Sequence, residues 1–365
     1  MPNLTNKIII AGGVTGGHLF PAIAIAEEII KQSRNAEILF VSIGNDFEKK
    51  ILSQKGFKLK SIKTPKLKGT TIFKKIKALI KLPISVFRAS IIVKKFLPNL
   101  IIGVGSYSSA PVLIAGRLFG IKIAICEQNI MPGITNRYLS KIANRVYIAF
   151  KDSKKYFNNK KTLHTGNPLR KEIIKAEKTK TISDDKSFTV LIIGGSQGAS
   201  GINKAVMASL NHIENKAKIR FIHQSGVKDL KKVKEEYLNY KIQNTVCAFI
   251  DDMASAYQKA DIIIARAGAT TISEITALGK AAIYIPFPYA ADGHQELNAR
   301  ILEKAGACEV ISEKDFDGKK TAEKIKYYGA NPDKLIEIGK EAKKFGKTNA
   351  AQIITDDIMK NLLGQ

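Results

Sequence analysis

Two glycine-rich turns, one in each half of the chain, constrain its fold more than any other feature. The first reads Gly12-Gly13-Val14-Thr15-Gly16-Gly17-His18, and the second reads Gly194-Gly195-Ser196-Gln197-Gly198-Ala199. Each follows a short apolar run, Ile8 to Ala11 and Val190 to Ile193, and precedes a helix-like stretch. Strand, glycine turn and helix together present bare backbone N–H groups and a positive helix end to an anion, usually phosphate. Having the unit twice predicts two similar α/β domains that face each other across one cleft. At 365 residues the chain exceeds a comfortable single core, which agrees with two domains.

The rest of the chain continues the alternation. In the first half, strands are predicted at Ile8–Ala11, Glu37–Ser42, Leu100–Gly103 and Lys122–Ile125. Helices are predicted at His18–Lys31, Phe47–Gln54, Ser109–Leu118 and Gly133–Ile142. In the second half, strands are predicted at Val190–Ile193, Ile219–His223, Val246–Phe249, Ile262–Ala265 and Ala282–Ile285. Helices begin between them near Gly201, Asp229, Asp252, Thr271 and Gly293, and the tail from Pro332 is helical by pattern. Such alternation predicts parallel sheets with helices on both faces, a doubly wound fold. The boundary is expected near residue 165, giving a first domain of 1–165 and a second of 166–365, whose last helix can return to the first.

Three well-separated cysteines, Cys126, Cys247 and Cys308, make neither a metal spacing nor a disulfide framework, as expected of a reducing cytoplasm. Lys7 leads straight into the first strand, with no leader pattern, and no apolar run is long enough to span a bilayer. The anomaly is a net charge of +27. Between Lys49 and Cys126 there are 17 Lys and Arg and no Asp or Glu. Such a surface attracts phosphate-bearing partners, unless it only reflects lysine-rich usage along the whole chain. Inside it, Ile72 to Leu82 reads IFKKIKALIKL. Ile72, Ile76, Leu79 and Ile80 share one helical face and Lys74, Lys77 and Lys81 lie opposite, with Phe73 and Lys75 part of the same patch. Pro83 is expected to break or kink the helix at that point. This basic amphipathic helix either lies in an anionic lipid headgroup layer or packs its apolar face on its own sheet. The acid-free surroundings favour the membrane. The absence of Trp and of aromatic-basic interleaving argues against nucleic acid.

Several residues could carry chemistry. His18 follows a phosphate-type turn and is either a base or a capping, structural histidine. The glycine spacing is not that of a dinucleotide fingerprint. The second turn offers N–H groups and the Ser196 hydroxyl to a diphosphate, or is a tight turn without a ligand. Arg170, after Asn167-Pro168, either neutralises a leaving diphosphate or is an ordinary surface cation. In Gly268-Ala269-Thr270-Thr271-Ile272-Ser273-Glu274, Thr271 and Glu274 fit a capping box, and Glu274 could equally take two ribose hydroxyls. Gln295 and Asn298 lie three apart on the helix after Pro286-Phe287-Pro288, where amides suit sugar hydroxyls or any polar surface.

Taken in order, GGVTGGHLFPAIAIA, GVGSYSSAP, EQNIMPGITNRYLSKIA, TGNPLR, GGSQGA, HQSG, FIDDMASAYQKADIIIARAGATTISEITALGKAAIYIPFP and HQELNA closely resemble the peptidoglycan N-acetylglucosaminyltransferase family (MurG). The resemblance implies a GT-B glycosyltransferase, two Rossmann-like domains that convert lipid I into lipid II at the cytoplasmic face of the plasma membrane. It implies UDP-N-acetylglucosamine as donor, held mostly by the second domain, and undecaprenyl-diphosphate-linked N-acetylmuramoyl-pentapeptide as acceptor, held by the first. By motif it places Thr15, Gly16 and Gly17 near the donor diphosphate and sugar, and Asn129 on the sugar. Arg170 and Ser196 face the diphosphate, Ile250 packs near uracil, Ala269, Thr270, Thr271, Ile272, Ser273 and Glu274 hold the nucleotide, and Gln295 reads sugar hydroxyls. His18 is the candidate base. Cys126 stands where the family usually has His, and Val14 and Ser106 stand where it has glycines.

The mechanism so implied is direct inverting transfer: the acceptor 4-hydroxyl attacks the anomeric carbon opposite UDP. No metal or other cofactor is expected, because helix N-termini, Ser196 and Arg170 would stabilise the leaving group, while domain closure excludes water. Competing readings are a glycosyltransferase with another lipid acceptor such as diacylglycerol, a UDP-sugar epimerase, and a basic membrane- or nucleic-acid-binding protein without catalysis.

Overall fold

The computed structural model describes residues 6–63, 72–178, 187–195, 197–213 and 218–365, and of residues 72–81 the backbone alone. The chain divides into two compact units. Unit 1 is Met1–Arg170 with Asn349–Gln365, and unit 2 is Lys171–Thr348. The change of unit after Arg170, and not after residue 165, has a local cause. Thr165 and Gly166 still donate backbone hydrogen bonds to the Ile148 carbonyl, at 3.1 and 3.3 Å, and Leu169 is buried. The chain then returns to unit 1 at Asn349.

Unit 1 holds a seven-stranded parallel sheet in the order β3-β2-β1-β4-β5-β6-β7. Its strands are β1 Lys7–Ala11, β2 Glu37–Ser42, β3 Lys58–Ser61, β4 Leu100–Gly103, β5 Lys122–Glu127, β6 Arg145–Ile148 and β7 Thr162–His164. Its helices are α1 Gly16–Gln32, α2 Asp46–Gln54, α3 Ile72–Phe96, α4 Ala110–Leu118 and α5 Ile134–Leu139, with the C-terminal Ala350–Asp357. Successive β-strand side chains point to opposite faces, so one apolar strand feeds two cores. Ile8 and Ile10 join Leu19, Ile25, Ile354 and Ile358 on one side of the sheet. Ile9 and Ala11 join Ala89, Val93, Val112 and Leu113 on the other. The helix α3 runs through Pro83 without ending there. A proline inside a helix forfeits one backbone bond, and here the next turns are held by Ala89 and Val93 packed onto the sheet.

Unit 2 holds a six-stranded parallel sheet in the order β10-β9-β8-β11-β12-β13. The strands are β8 Phe188–Ile193, β9 Ile219–Gln224, β10 Gln243–Cys247, β11 Ile262–Ala265, β12 Ala281–Tyr284 and β13 Glu309–Val310. The helices, in chain order after α5, are α6 Lys171–Lys178, α7 Ser200–Ser209, α8 Leu230–Tyr240, α9 Met253–Lys259, α10 Ala269–Leu278, α11 His294–Lys304, α12 Gly318–Ala330 and α13 Pro332–Lys343, so Ala350–Asp357 is α14. The fold class read from the sequence, two parallel-sheet α/β domains, is the one observed. Both glycine turns leave the carboxyl end of a central strand, β1 and β8, where open parallel sheets hold ligands.

Candidate functional site

The first glycine turn is built by a close approach of backbones. Gly12 and Gly13 have φ of +108° and +110°. A Cβ on Gly12 would stand 2.3 Å from the Gly105 carbonyl oxygen, so no side chain fits. Gly105 has φ +91°, and a Cβ there would meet the His18 ring at 3.0 Å. Ser106, where glycine is expected, keeps a left-handed φ of +70°, so the loop shape survives the replacement. The Val14 carbonyl accepts from Asn45 Nδ2 at 3.0 Å, which ties the other departure to the start of α2. Thr15 is the N-cap of α1 and, like Gly17, exposed; Gly16 is buried.

His18 lies in the first turn of α1 and is half-buried. Its Nδ1 is 3.1 Å from Gln128 Oε1. The Gln128 Nε2 donates to the Val104 carbonyl at 3.2 Å. The next loop is organised by Glu127, which is buried. Its Oε1 accepts from the Asn129 backbone N–H at 2.9 Å and from Asn129 Nδ2 at 3.3 Å. Its Oε2 accepts from Asn136 Nδ2 at 2.9 Å and Gly133 N–H at 3.2 Å. Burial pushes the Glu127 carboxyl up, and these four bonds offset only part of that rise. Cys126 beside it is buried, its thiol pushed up to about 12 by burial and then by Glu127, so it is an inert group. Arg170 stacks its guanidinium on the Phe20 ring of α1, 4.5 Å from the centroid.

The second turn repeats the first in unit 2. A Cβ on Gly194 would be 2.4 Å from the Ala199 nitrogen, and one on Gly198 would be 2.4 Å from the Ser225 carbonyl oxygen. Ser196 lies outside the described residues. Gln224, at the end of β9, joins this turn to Ile250. Its Nε2 donates to the Gly195 carbonyl at 2.7 Å, and its Oε1 accepts from the Ile250 N–H at 3.0 Å. Below it, Asn203 of α7 donates through Nδ2 to the Ser225 carbonyl and to Asp229, both at 2.9 Å. The buried His223 spans Asn203 Oδ1 at 3.0 Å and the Tyr237 hydroxyl at 3.1 Å. Burial holds its imidazole far down, at about 3, so it is neutral and structural.

The helix α10 begins at Ala269 with Gly268 as N-cap, three residues before Thr271. The capping box expected of Thr271 and Glu274 is therefore not formed; both lie inside the helix. Ala269, Thr270 and Thr271 form the first turn of this helix. Ile272 is buried, Ser273 bonds back to the Ala269 carbonyl at 2.8 Å, and the buried Glu274 accepts from the Tyr257 hydroxyl at 3.0 Å. Arg266 donates to the carbonyls of Ile285 and Pro286 at 3.1 and 3.3 Å and pairs with Glu313, closing the carboxyl ends of β11 and β12. Gln295 accepts the Phe287 N–H at 2.9 Å, and Asn298 is fully buried. A cavity of about 570 Å³ runs along β10 and α9, past Arg220, Thr245 and Lys259, and touches the expected uracil region only at Phe249–Asp252. The sequence's single Asp-x-Asp, Asp315-Phe316-Asp317, makes local bonds: Asp317 caps α12 through the Lys320 N–H at 2.8 Å, and Asp315 accepts from Ser312 at 2.6 Å.

The side chains of Ile72, Phe73, Lys74, Lys75, Ile76, Leu79, Ile80 and Lys81 lie outside the described residues. Further along α3, Ile84, Phe87 and Ile91 follow helical spacing and are exposed by 53%, 68% and 54%. Arg88 and Lys95 share this face. On the opposite side, Ala89 and Val93 are buried.

Comparison with known proteins decides the family. The glycosyltransferase family 28 N-terminal domain matches residues 8–148, and the family's C-terminal domain matches residues 189–354. A Syntrophus aciditrophicus protein named UDP-N-acetylglucosamine–N-acetylmuramyl-(pentapeptide) pyrophosphoryl-undecaprenol N-acetylglucosamine transferase is 43% identical over 98% of this chain and 99% of its own. The chain belongs to the MurG glycosyltransferase family. A Myxococcus xanthus protein of the same name is 39% identical over 96% of this chain and 91% of its own. The crystal structure of Acinetobacter baumannii MurG aligns with a TM-score of 0.76 at 28% identity, covering 97% of this chain and 99% of that one. A UDP-GlcNAc 2-epimerase from Neisseria meningitidis, at 14% identity and TM-score 0.68 over 97% of this chain and all of its own, shares the fold alone.

Within this MurG framework, Thr15, Gly16, Gly17, His18, Asn129 and Arg170 belong to unit 1, and Ile250, Ala269–Glu274 and Gln295 to unit 2. The sequence motifs contain Gln128, Glu127, Gln224 and Tyr257 without giving them a role; in the structure they bond to His18, Asn129, Ile250 and Glu274. The signal that could have found them was a polar pair directly after an apolar strand, as in Ile222-His223-Gln224 and Cys126-Glu127-Gln128.

Proposed function

We propose that this chain transfers N-acetylglucosamine from UDP-N-acetylglucosamine to the 4-hydroxyl of lipid I, giving lipid II for peptidoglycan synthesis. The observation that carries this reading is 43% identity along nearly the whole chain to a transferase named for that reaction. The fold by itself is common to 2-epimerases and would not discriminate. In the proposed mechanism the acceptor hydroxyl attacks the anomeric carbon as the carbon–oxygen bond to UDP breaks, with inversion. The hydroxyl proton passes to His18, and the leaving diphosphate meets turn amides, Ser196 and Arg170. The Phe20 ring, 4.5 Å from the Arg170 guanidinium, helps hold in place a group whose N–H edge suits two phosphate oxygens. Glu274 takes ribose hydroxyls, Ile250 lies by uracil, and Gln295 and Asn129 read the sugar. No metal is assigned a role, because amides and cations stabilise the leaving group.

An acceptor carrying a diphosphate and a polyprenyl chain is met at a bilayer surface. The exposed Ile84, Phe87 and Ile91 with Arg88 and Lys95 support peripheral docking on anionic lipid, continuing the basic segment 72–81. No described helix is long and apolar enough to cross a membrane. We place the active protein at the cytoplasmic face of the plasma membrane. The test is incubation with UDP-N-acetylglucosamine and a lipid I analogue. Disaccharide and UDP in equal amounts support the reading. Epimerised sugar without acceptor, or UDP release only with a diacylglycerol acceptor, overturns it.

A further inference from the structure

We infer that Gln128 is a positioning residue that fixes the tautomer of His18, making Nε2 the nitrogen that receives the acceptor proton. The inference deepens the role proposed for His18 and rests on that reading. A neutral imidazole carries one proton, and which nitrogen holds it follows from the partner of the other. The partner here is itself oriented. Gln128 donates its Nε2 to the Val104 carbonyl at 3.2 Å, and the reversed amide would set two oxygens against each other. Its Oε1 therefore faces His18 Nδ1 at 3.1 Å and must accept, so Nδ1 carries the hydrogen.

The surroundings enforce this pairing. Gln128 is 2% exposed, so its amide has little freedom to exchange partners with water. Glu127 anchors the same loop from the other side through Asn129, Gly133 and Asn136. Gly105 leaves the imidazole no slack: a Cβ would touch Nδ1 and Cε1 at 3.0 Å and the Gln128 Oε1 at 3.5 Å. Two loops and one glycine therefore define both the ring's place and its protonation. His18 would be the catalytic residue, and Gln128 acts through it.

The test uses the full chain labelled with ¹⁵N at histidine, with His18 assigned by comparison with His18→Ala. Long-range proton–nitrogen spectra above the imidazole's titration should show His18 Nδ1 as the protonated nitrogen and Nε2 as the bare one. In Gln128→Met, which keeps volume and loses the acceptor, the bare and protonated nitrogens should mix or exchange. In the same variant kcat should fall about 10- to 100-fold, less than the ~10²–10⁴-fold expected for losing a base outright, with donor KM unchanged. Gln128→Glu, measured below the pH at which its buried carboxyl ionises, donates its O–H to the Val104 carbonyl and keeps an acceptor on Nδ1, so it should keep the Nδ1 tautomer and recover part of kcat. Wild-type His18 protonated at Nε2 overturns the inference, as does an unchanged tautomer and kcat in Gln128→Met. The spectra need no turnover, so failure of the transferase reading would show separately, as absent activity in a wild type with the expected tautomer.

Discussion

Acidification should destabilise unit 2 through His223. Its two ring nitrogens are committed in the neutral state. Asn203 donates its amide N–H groups to Ser225 and Asp229, so its Oδ1 faces the ring and accepts from His223 Nε2–H. The Tyr237 hydroxyl then donates to Nδ1, and the residue is fully buried. Burial lowers its pKa from 6.5 to about 3. The unfolded chain therefore binds a proton that the native chain refuses. This contribution is fully present above pH 6.5 and erodes as pH falls toward about 3. Linkage gives a loss of about 0.8 kcal/mol at pH 6 and about 2 kcal/mol at pH 5. His223→Gln supplies a donor for Asn203 and an acceptor for Tyr237 but no titrating group. The measurement is urea unfolding followed by circular dichroism at pH 7.5, 6 and 5 on both proteins. Hydrogen exchange of β9 and α7 peptides locates the effect, since two units need not unfold together. The wild type should lose about 2 kcal/mol more than the variant by pH 5. Parallel losses would refute the buried neutral imidazole.

Four further outcomes are expected. His18→Ala should lower kcat about 10²–10⁴-fold with donor affinity intact, and near-normal turnover would remove its role as base. Gly198→Ala drives a Cβ to 2.4 Å from the Ser225 carbonyl oxygen, so calorimetry should show donor binding weakened more than in Gly195→Ala, whose Cβ meets nothing within 4 Å. Asp357→Ala strips the buried Tyr147 hydroxyl of its 2.8 Å acceptor and Arg145 of its partner, and should cost about 1–3 kcal/mol in thermal unfolding. Phe87→Glu with Ile91→Glu should reduce sedimentation with anionic vesicles about tenfold or more, and equal binding by wild type and variant would remove α3 from the docking surface.

Burial decides which elements the sequence discloses. Central strands of a parallel sheet are covered on both faces, so Ile8–Ala11, Val190–Ile193 and Ile262–Ala265 stand out as apolar runs, and their helices are legible beside them. Edge strands have no such requirement. Lys58–Ser61 reads KLKS and Thr162–His164 reads TLH, and neither carries a pattern to detect; the two-residue β13 was missed for the same reason. The edge strand β10 was expected at Val246–Phe249 and lies at Gln243–Cys247, because pairing with β9 and not apolarity sets its register. The inner strand β6 went unread because its apolar run is only Val146 to Ile148. At the site, the glycine turns and the ordered motifs named the residues that would face ligand. The residues behind them, Gln128 against His18 and Gln224 between Gly195 and Ile250, were not legible, because an amide's partner depends on which loops the sheet brings together.

The return of the chain to unit 1 at Asn349 has a consequence for biosynthesis. Ile354, Ile358 and Leu362 complete a core whose other members were translated hundreds of residues earlier. Unit 2, Lys171–Thr348, is contiguous and can mature while still tethered to the ribosome. The amino-terminal half must wait, with an open seam beside α1 and β6, until the final segment emerges to seal it. A nascent chain cut short near residue 348 would leave a finished unit 2 joined to a first unit vulnerable to proteolysis.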